Sequence, residues 1–281
     1  AYALSATANE ANKQQWLPGI ASGDLIACVA ITEHTPMWCD DDIHTAAAVT
    51  TNGEYQLSGT KHFVIDAQVA DVIFVAAREA DEGISLFAVD AKADGLSIKP
   101  LQSMDATRKL NTLTFINTGA ERLGRVDLPA LMDYALVALS NEMIGGAQAL
   151  LQSALDYTQL RFQFGRSIAS FQAIKHRLAD LLLEVELAKS AAYQAAYCLA
   201  INKDVREHAS LAKAAVGEAY VHVAYECIQL HGGIGFTWEN DTQLWFKRAK
   251  SCEVLLGTPA AHRERMLQAI TTGETAKTRI G

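Results

Sequence analysis

The feature that most restricts the fold is a long stretch of the chain without proline. Five prolines are present, and none falls between Pro129 and Pro259. Proline breaks helices because it lacks an N–H and its ring clashes with the preceding turn. Within this stretch, apolar residues recur at helical spacing, as in Leu178, Leu181, Leu182 and Val185. The pattern predicts that this half of the chain is helical.

Glycines and short polar runs divide the proline-free stretch into segments. The breaks fall at Gly165, at Asn202-Lys203-Asp204 and at Gly232-Gly233. We expect helices near residues 130–163, 168–201, 205–231, 241–253 and 259–270. Segments of this length are typical of a helix bundle.

Residues 23–128 have a different pattern, with short β-prone runs instead of helical periodicity. The runs are Ile26–Ile31, Glu54–Leu57, Val72–Ala76 and Ile84–Val89. Between them lie the turn signals Asn52-Gly53, Ser58-Gly59, Glu82-Gly83 and Asp94-Gly95. We predict an antiparallel sheet or barrel here. We therefore divide the chain into three regions. Residues 1–22 resemble the tail of a helical domain, with a helix ending at Leu17-Pro18-Gly19; residues 23–128 are the predicted β-domain, and residues 129–281 are the predicted helical domain.

Composition excludes several classes of function. The net charge of −8, from 24 Lys and Arg against 32 Asp and Glu, argues against a nucleic-acid or anionic-membrane partner. No apolar run approaches the roughly 20 residues of a membrane span, and the first residues do not resemble a signal peptide. Five scattered cysteines fit a reducing compartment, so we expect a cytoplasmic protein. The eight histidines lack zinc-site spacing, and no metal site is predicted.

Several short motifs occur in a fixed order along the chain. They are Ile31-Thr32-Glu33, Gly59–Val64, Arg161–Gly165, Phe171-Gln172, Gln229–Phe236 and Leu256-Gly257-Thr258. As an ordered set they resemble the acyl-CoA dehydrogenase family. Met37-Trp38-Cys39 and the ending Leu255–Thr258 further resemble a bacterial subgroup acting on bulky or steroid-type CoA thioesters. The resemblance implies an α+β fold, an antiparallel β-domain followed by a C-terminal helical bundle. The family's N-terminal helical domain has no counterpart here, which fits either a fragment or a short form.

The resemblance also implies a cofactor, a reaction and partners. Family members use FAD to remove two hydrogens from an acyl-CoA and pass electrons to an electron-transfer flavoprotein. They form oligomers, homomeric or heteromeric, in which subunits share FAD sites. By resemblance, the residues lining the flavin ring are Ile31, Thr32, Phe63 and Thr258. A second set would contact other parts of FAD, mainly the diphosphate and adenosine of the FAD bound to a neighbouring subunit. These residues are Arg161, Gln163, Phe164, Gln172, Gln229, Gly232 and Gly233.

The position of the catalytic base is the main departure from the family. The reaction needs a desolvated carboxylate to take the α-proton. One family position for this base is Leu256 here, and the alternative position falls on Ala135. Glu142, two helical turns beyond Ala135, is the remaining weak candidate. Two functions therefore stay open: a dehydrogenase in its own right, or a non-catalytic, FAD-contacting subunit whose partner carries the Glu.

Overall fold

The computed structural model describes residues 1–80 and 83–272. The chain divides into two compact units, Ala1–Met132 and Asp133–Gly281. The first unit contains two short helices and a seven-stranded sheet, and the second contains most of the helical residues and a short hairpin.

Two helices precede the sheet, α1 (Tyr2–Thr7) and α2 (Glu10–Ser22). Asn9 caps α2 by accepting a hydrogen bond from the N–H of Asn12 at 2.9 Å. The predicted end of this helix at Leu17-Pro18-Gly19 is wrong, because α2 continues through Pro18. It ends where Gly23 adopts a left-handed conformation with φ of 82°, which is the usual C-terminal role of glycine.

Seven strands form one sheet in the first unit. They are β1 (Ala27–Ala30), β2 (Ala46–Val49), β3 (Tyr55–Ile65), β4 (Val72–Glu79), β5 (Gly83–Asp90), β6 (Leu96–Pro100) and β7 (Leu110–Arg125). Their pairings close a ring in the order β4, β2, β3, β7, β5 and back to β4. Most pairings are antiparallel as expected, but β1 and β2 each run parallel to β4. Long connections permit these parallel pairings.

Several details of the β region differ from the prediction. Strand β3 runs through Ser58-Gly59 without turning, although the register shifts between Leu57 and Gly59. A Cβ at Gly59 would lie 2.7 Å from the Cα of Thr45, so this glycine permits close packing instead of a turn. The predicted turn at Glu82-Gly83 begins outside the described residues. Strands β2, β6 and β7 had no sequence prediction.

Strand β4 is buried on both of its faces. Ile73, Val75 and Ala77 belong to one apolar cluster together with Leu57 and Phe115 of the ring. The alternate residues belong to a second cluster that also includes residues of α1 and α2; they are Val72, Phe74 and Ala76. Two apolar layers thus stabilise the β unit, one on each face of the strand.

The helices of the second half agree closely with the predicted ranges. They are α3 (Leu128–Leu160), α4 (Gln172–Ala200), α5 (Val205–His231), α6 (Thr242–Val254) and α7 (Pro259–Thr272). Helix α5 packs against α4, α6 and α7 and is therefore central to the helical unit. Helix α3 ends three residues before the predicted boundary, and a two-stranded hairpin follows it, β8 (Phe162–Gln163) and β9 (Arg166–Ser167). None of the helices within the described ranges is both long and apolar enough to cross a bilayer.

Candidate cofactor-binding surfaces

The segment that follows β1 is held in place by two residues of β3. The Lys61 ammonium donates to the carbonyl oxygen of Ile31 at 3.0 Å, and the N–H of His62 donates to the carbonyl of Thr32 at 2.8 Å. The Ile31 side chain is only 2% exposed and lies in an apolar cluster. Ile31 can therefore meet a ligand only through its backbone, whereas Thr32 is half-buried and accessible.

Glu33 and Lys61 form a buried ion pair between the segment after β1 and strand β3. The Lys61 ammonium lies 2.7 Å from Glu33 Oε1, and both side chains are almost fully buried. Glu33 also accepts from the N–H groups of His44 and Thr45, at 2.8 and 2.9 Å. Burial alone raises the pKa of Glu33, but the charge of Lys61 and these hydrogen bonds outweigh burial and lower it. The pair fixes residues 31–33 against β3, a role that sequence reasoning missed.

Phe63 occupies a strained position beside Thr32. Its φ is 55°, which bulky residues rarely adopt, and the β3–β7 register shifts between Lys61 and Val64. The Phe63 side chain is 55% exposed. The N–H of His62, the residue before Phe63, bonds the Thr32 carbonyl. The structure therefore brings Thr32 and Phe63, two of the three predicted ring-lining residues of the β unit, to one surface. We call Thr32 and Phe63 the β-unit surface.

A group of possible metal ligands lies next to this surface. Glu33, His34 and His44 offer ligand atoms within 4.8 Å of one another. The Glu33 carboxylate, however, already neutralises Lys61 and accepts two backbone hydrogen bonds. Because a second cation would compete with Lys61 for this carboxylate, we assign no metal to the group.

The hairpin after α3 has the geometry of a two-residue type I′ turn. Phe164 and Gly165 both have positive φ, 53° and 76°, which this turn requires. The turn places Phe164 at 91% exposure, and Arg161 and Gln163 are exposed beside it. The Phe164 ring meets the edge of Phe171, with centroids 6.2 Å apart, and this one contact leaves most of the ring open to a ligand or partner.

The end of α5 presents a second exposed segment. Gly232 ends the helix with φ of 64°, and its N–H bonds the carbonyls of Gln229 and Ile228. A Cβ placed at Gly233 would meet nothing within 4 Å, and its backbone does not require glycine. The packing of the described residues therefore gives no reason for glycine at 233, whereas close approach of an outside group would.

A ring stack joins these two segments. Tyr157, in the last turn of α3, stacks on His231 at the end of α5, with ring centroids 4.3 Å apart. At the start of α4, Gln172 follows Phe171, whose ring lies 4.0 Å beneath the Arg166 guanidinium of the hairpin. The structure thus gathers seven predicted residues at this end of the helical unit. We call these residues the hairpin surface: Arg161, Gln163, Phe164, Gln172, Gln229, Gly232 and Gly233.

The turn between α6 and α7, residues 255–258, is held by two buried side chains of the helical unit. Lys213 donates to the carbonyls of Glu253 and Gly257, each at 3.0 Å, and His262 Nε2 bonds the carbonyl of Leu256 at 2.8 Å. Leu256 itself has φ of 59° and is 9% exposed. Within residues 1–80 and 83–272, no acceptor is found for the Leu256 N–H. We call residues 255–258 the Leu256 turn.

The protonation of these buried groups follows from their surroundings. Burial lowers the pKa of Lys213 to about 8, so the ammonium is largely retained at neutral pH. Burial and the nearby charge of Lys213 lower the pKa of His262 to about 4. His262 is therefore neutral and donates from Nε2. The turn combines a buried cation with an unpaired, nearly buried N–H, a suitable environment for a ligand oxygen that carries partial negative charge.

Thr258 is exposed at the start of α7, where Pro259 is the first helical residue. Its Oγ1 accepts a hydrogen bond from the N–H of Ala261 at 3.3 Å, which caps the helix. The family resemblance gave Thr258 a cofactor contact, and the structure adds a capping role.

The carboxylates near the expected base positions are already paired. Glu142 is 49% exposed and its Oε1 lies 3.0 Å from the Arg248 guanidinium. Asp133 is buried, but its Oδ1 lies 2.6 Å from Arg265. Ala135 and Leu256 carry no acid. A general base must be free to accept the α-proton, and each of these two carboxylates already contacts an arginine.

The chain is similar to known proteins over most of its length. Residues 131–271 match the family model of the acyl-CoA dehydrogenase C-terminal domain, and residues 28–118 match that of the middle domain. Acyl-CoA dehydrogenase IpdE2 of Mycolicibacterium smegmatis is 36% identical over 204 residues, which are 73% of this chain and 60% of the relative. The chain thus spans less than two thirds of that relative's length.

Two solved structures are also similar over most of the chain. The steroid acyl-CoA dehydrogenase Tcur3481–Tcur3483 has a TM-score of 0.83 at 31% identity, covering 96% of this chain and 73% of the other. A protein described as an FAD-dependent dehydrogenase has a TM-score of 0.87 at 27% identity, covering 94% and 75%.

Proposed function

The chain belongs to the acyl-CoA dehydrogenase family, and from this premise we propose that it takes part in the FAD-dependent α,β-dehydrogenation of an acyl-CoA thioester. The observation that carries the proposal is the Leu256 turn, in which buried Lys213 bonds the Gly257 carbonyl and the Leu256 N–H has no acceptor among the described residues. Similarity to an FAD-dependent dehydrogenase supports the choice of cofactor.

The residues present suit FAD chemically. A diphosphate needs a fixed positive charge, and the exposed Arg161 guanidinium supplies a planar, bidentate donor. Gly232 and Gly233 leave space for close backbone approach. A planar ring needs an apolar wall and donors, which Phe63 and Thr32 offer on the β-unit surface. Thr258 remains the proposed contact from the helical unit.

Each proposed group has a distinct part in the reaction. Bound FAD would supply the acceptor for the hydride leaving the substrate's β-carbon. The Leu256 N–H would donate to the thioester oxygen, where negative charge develops as the α-proton leaves. The buried ammonium of Lys213 would keep this donor in position, because it bonds the carbonyls of Glu253 and Gly257 in the same turn. These interactions act most strongly when water is excluded.

The missing base supports a second candidate function. The Glu142 carboxylate lies 3.0 Å from Arg248, and the family's two base positions hold Leu256 and Ala135. The chain could thus be the FAD-contacting subunit of a heteromer whose partner carries the Glu. Similarity to a steroid dehydrogenase whose name joins two components, Tcur3481 and Tcur3483, supports this candidate.

Oligomer formation and electron transfer complete the proposal. The hairpin surface would contact the FAD of a second subunit, which accounts for the 91% exposure of Phe164 in the single chain. Electrons would then pass to an electron-transfer flavoprotein. The acyl group would be bulky, as in the steroid-type relative.

An anaerobic titration tests the two candidates against each other. The purified protein is mixed with a panel of acyl-CoA thioesters while the visible flavin absorption is followed, alone and with any co-purifying homologue. Bleaching by the protein alone supports the complete dehydrogenase, and loss of bleaching in Glu142→Gln would identify the base. Flavin that bleaches only with the homologue supports the shared site. A preparation that never binds flavin would overturn the proposal.

A further inference from the structure

Trp38 makes a hydrogen bond to the β-unit surface that the sequence pattern did not suggest. Its indole Nε1–H donates to Thr32 Oγ1, with a nitrogen–oxygen distance of 3.0 Å. The Trp38 ring is half-buried and packs against the apolar cluster beneath β1. Packing of this kind needs the ring but not the N–H, so the bond to Thr32 calls for a separate explanation.

The bond restricts the direction of the Thr32 hydroxyl. A threonine hydroxyl has one proton to donate and two lone pairs to accept with, whereas an indole N–H can only donate. With one lone pair facing Trp38, the hydroxyl proton must point away from the indole. The Thr32 carbonyl is fixed as well, because it accepts from the N–H of His62 at 2.8 Å.

Thr32 is left with two unused donors. Neither its backbone N–H nor its hydroxyl proton has an acceptor among the residues that the structure describes. Phe63, which directly follows His62, presents a 55% exposed ring beside them. Two donors next to an apolar ring suit a planar heteroaromatic ligand with neighbouring acceptor atoms.

We propose that Trp38 is a positioning residue, whose indole N–H orients the Thr32 hydroxyl to donate to an acceptor atom of the bound flavin ring. The inference rests on the proposed function, since it requires FAD at the β-unit surface. Trp38 acts only through Thr32 and does not itself contact the acceptor. Hydrogen bonds in such a chain strengthen one another, so losing the indole donor also weakens the hydroxyl as a donor.

A double-mutant cycle on the flavin-loaded full chain tests this coupling. The variants are Trp38→Phe, Thr32→Val and the double substitution, and Trp245→Phe on α6 is the control. The readouts are the visible absorption spectrum of the bound flavin and its midpoint potential. We expect Trp38→Phe to shift both in the wild-type background and to add no further shift in the Thr32→Val background. Trp245→Phe should leave both unchanged.

Each of the remaining outcomes contradicts either the positioning role of Trp38 or the proposed function itself. If the flavin bound to Trp38→Phe has the same spectrum and midpoint potential as in the wild type, the positioning role is contradicted and the proposed function stands. Equal shifts in both backgrounds show that Trp38 acts independently of Thr32, which also contradicts it. A wild-type chain that binds no flavin removes both the proposed function and this inference. If Trp38→Phe does not fold, Trp38→Met removes the same N–H and gives the same test.

Discussion

The Tyr157 ring stacks on His231 with centroids 4.3 Å apart, and its hydroxyl donates to the His231 carbonyl at 3.3 Å. His231 is fixed in turn, because its Nδ1 lies 2.7 Å from the carbonyl of Cys227 one helical turn earlier. The contact joins the end of α3 to the end of α5. It therefore sets the spacing between the two segments that carry the hairpin surface.

Removing this contact should loosen the hairpin surface without unfolding the chain. We expect Tyr157→Phe, which keeps the stack and loses one hydrogen bond, to lower the free energy of unfolding by about 1 kcal/mol. Tyr157→Leu also loses the stack, and we expect its FAD affinity to fall about tenfold, equivalent to about 1.4 kcal/mol. Equilibrium dialysis of FAD measures this. Tyr193→Leu, on the exposed face of α4, should retain wild-type affinity.

The lowered pKa of His262 predicts loss of stability in mild acid. The unfolded chain protonates this residue near its ordinary pKa of 6.5, whereas the folded chain resists protonation until about 4. Stability is therefore complete above pH 6.5 and falls as pH drops toward 4, by about 3 kcal/mol in this window. Denaturant unfolding at several pH values measures the slope.

The matching variant for this pH prediction is His262→Gln. Glutamine can still donate to the Leu256 carbonyl but does not titrate, so the pH dependence between 6.5 and 4 should flatten. The exposed His176→Gln serves as control and should keep the wild-type slope. Identical slopes in wild type and His262→Gln would show that His262 is not the responsible group.

Gly233→Ala should separate binding from folding. A Cβ at this position meets no atom within 4 Å, so we expect the free energy of unfolding to stay within about 0.5 kcal/mol of wild type. FAD binding should weaken because the methyl group blocks close approach. The control Gly145→Ala, an open position inside α3, should raise stability by about 1 kcal/mol and leave FAD binding unchanged. Wild-type FAD affinity in Gly233→Ala would remove Gly233 from the hairpin surface.

The Glu33–Lys61 pair should be far more important to stability than an exposed pair. Lys61→Met leaves a buried carboxylate uncompensated, which we expect to cost about 3–5 kcal/mol in a thermal or denaturant unfolding measurement. Combining it with Glu33→Gln should restore much of the loss. Lys13→Met breaks the largely exposed pair with Glu10 and should cost at most about 1 kcal/mol. Similar losses for Lys61→Met and Lys13→Met would contradict the structural role of the buried pair.

Leu256→Glu should place a carboxylate at one of the family's two base positions. The backbone of the turn is already held by Lys213 and His262, so the substitution adds a carboxylate without requiring a new turn. We expect flavin reduction by acyl-CoA to become about 10²-fold faster or more, as general-base catalysis usually provides. Leu256→Gln, of the same shape without a base, should show no gain. An equal rate in both variants would locate the deficiency elsewhere.

The sequence by itself determined the positions of the long helices, the β-prone character of residues 23–128 and the order of the cofactor motifs. These features depend on local physical rules: proline ends helices, apolar residues repeat with the period of the element, and glycine permits close approach. The sequence also shows, without coordinates, that the two expected base positions hold Leu256 and Ala135, neither of which is acidic. The predicted ends of elements were wrong where a residue type is compatible with two structures. Pro18 lies within helix α2, and Ser58-Gly59 lies within strand β3.

Only the tertiary structure decided which distant residues act together. Lys61 reaches back 28 residues to Glu33, Lys213 reaches forward 44 residues to Gly257, and Tyr157 meets His231 across 74 residues. No periodicity links such residues, because each bond depends on how whole helices and strands pack. The same packing left Glu142 exposed beside Arg248, so its suitability as a base could not be judged from its place on α3 alone. Desolvation and pairing, which set pKa, are properties of the folded chain.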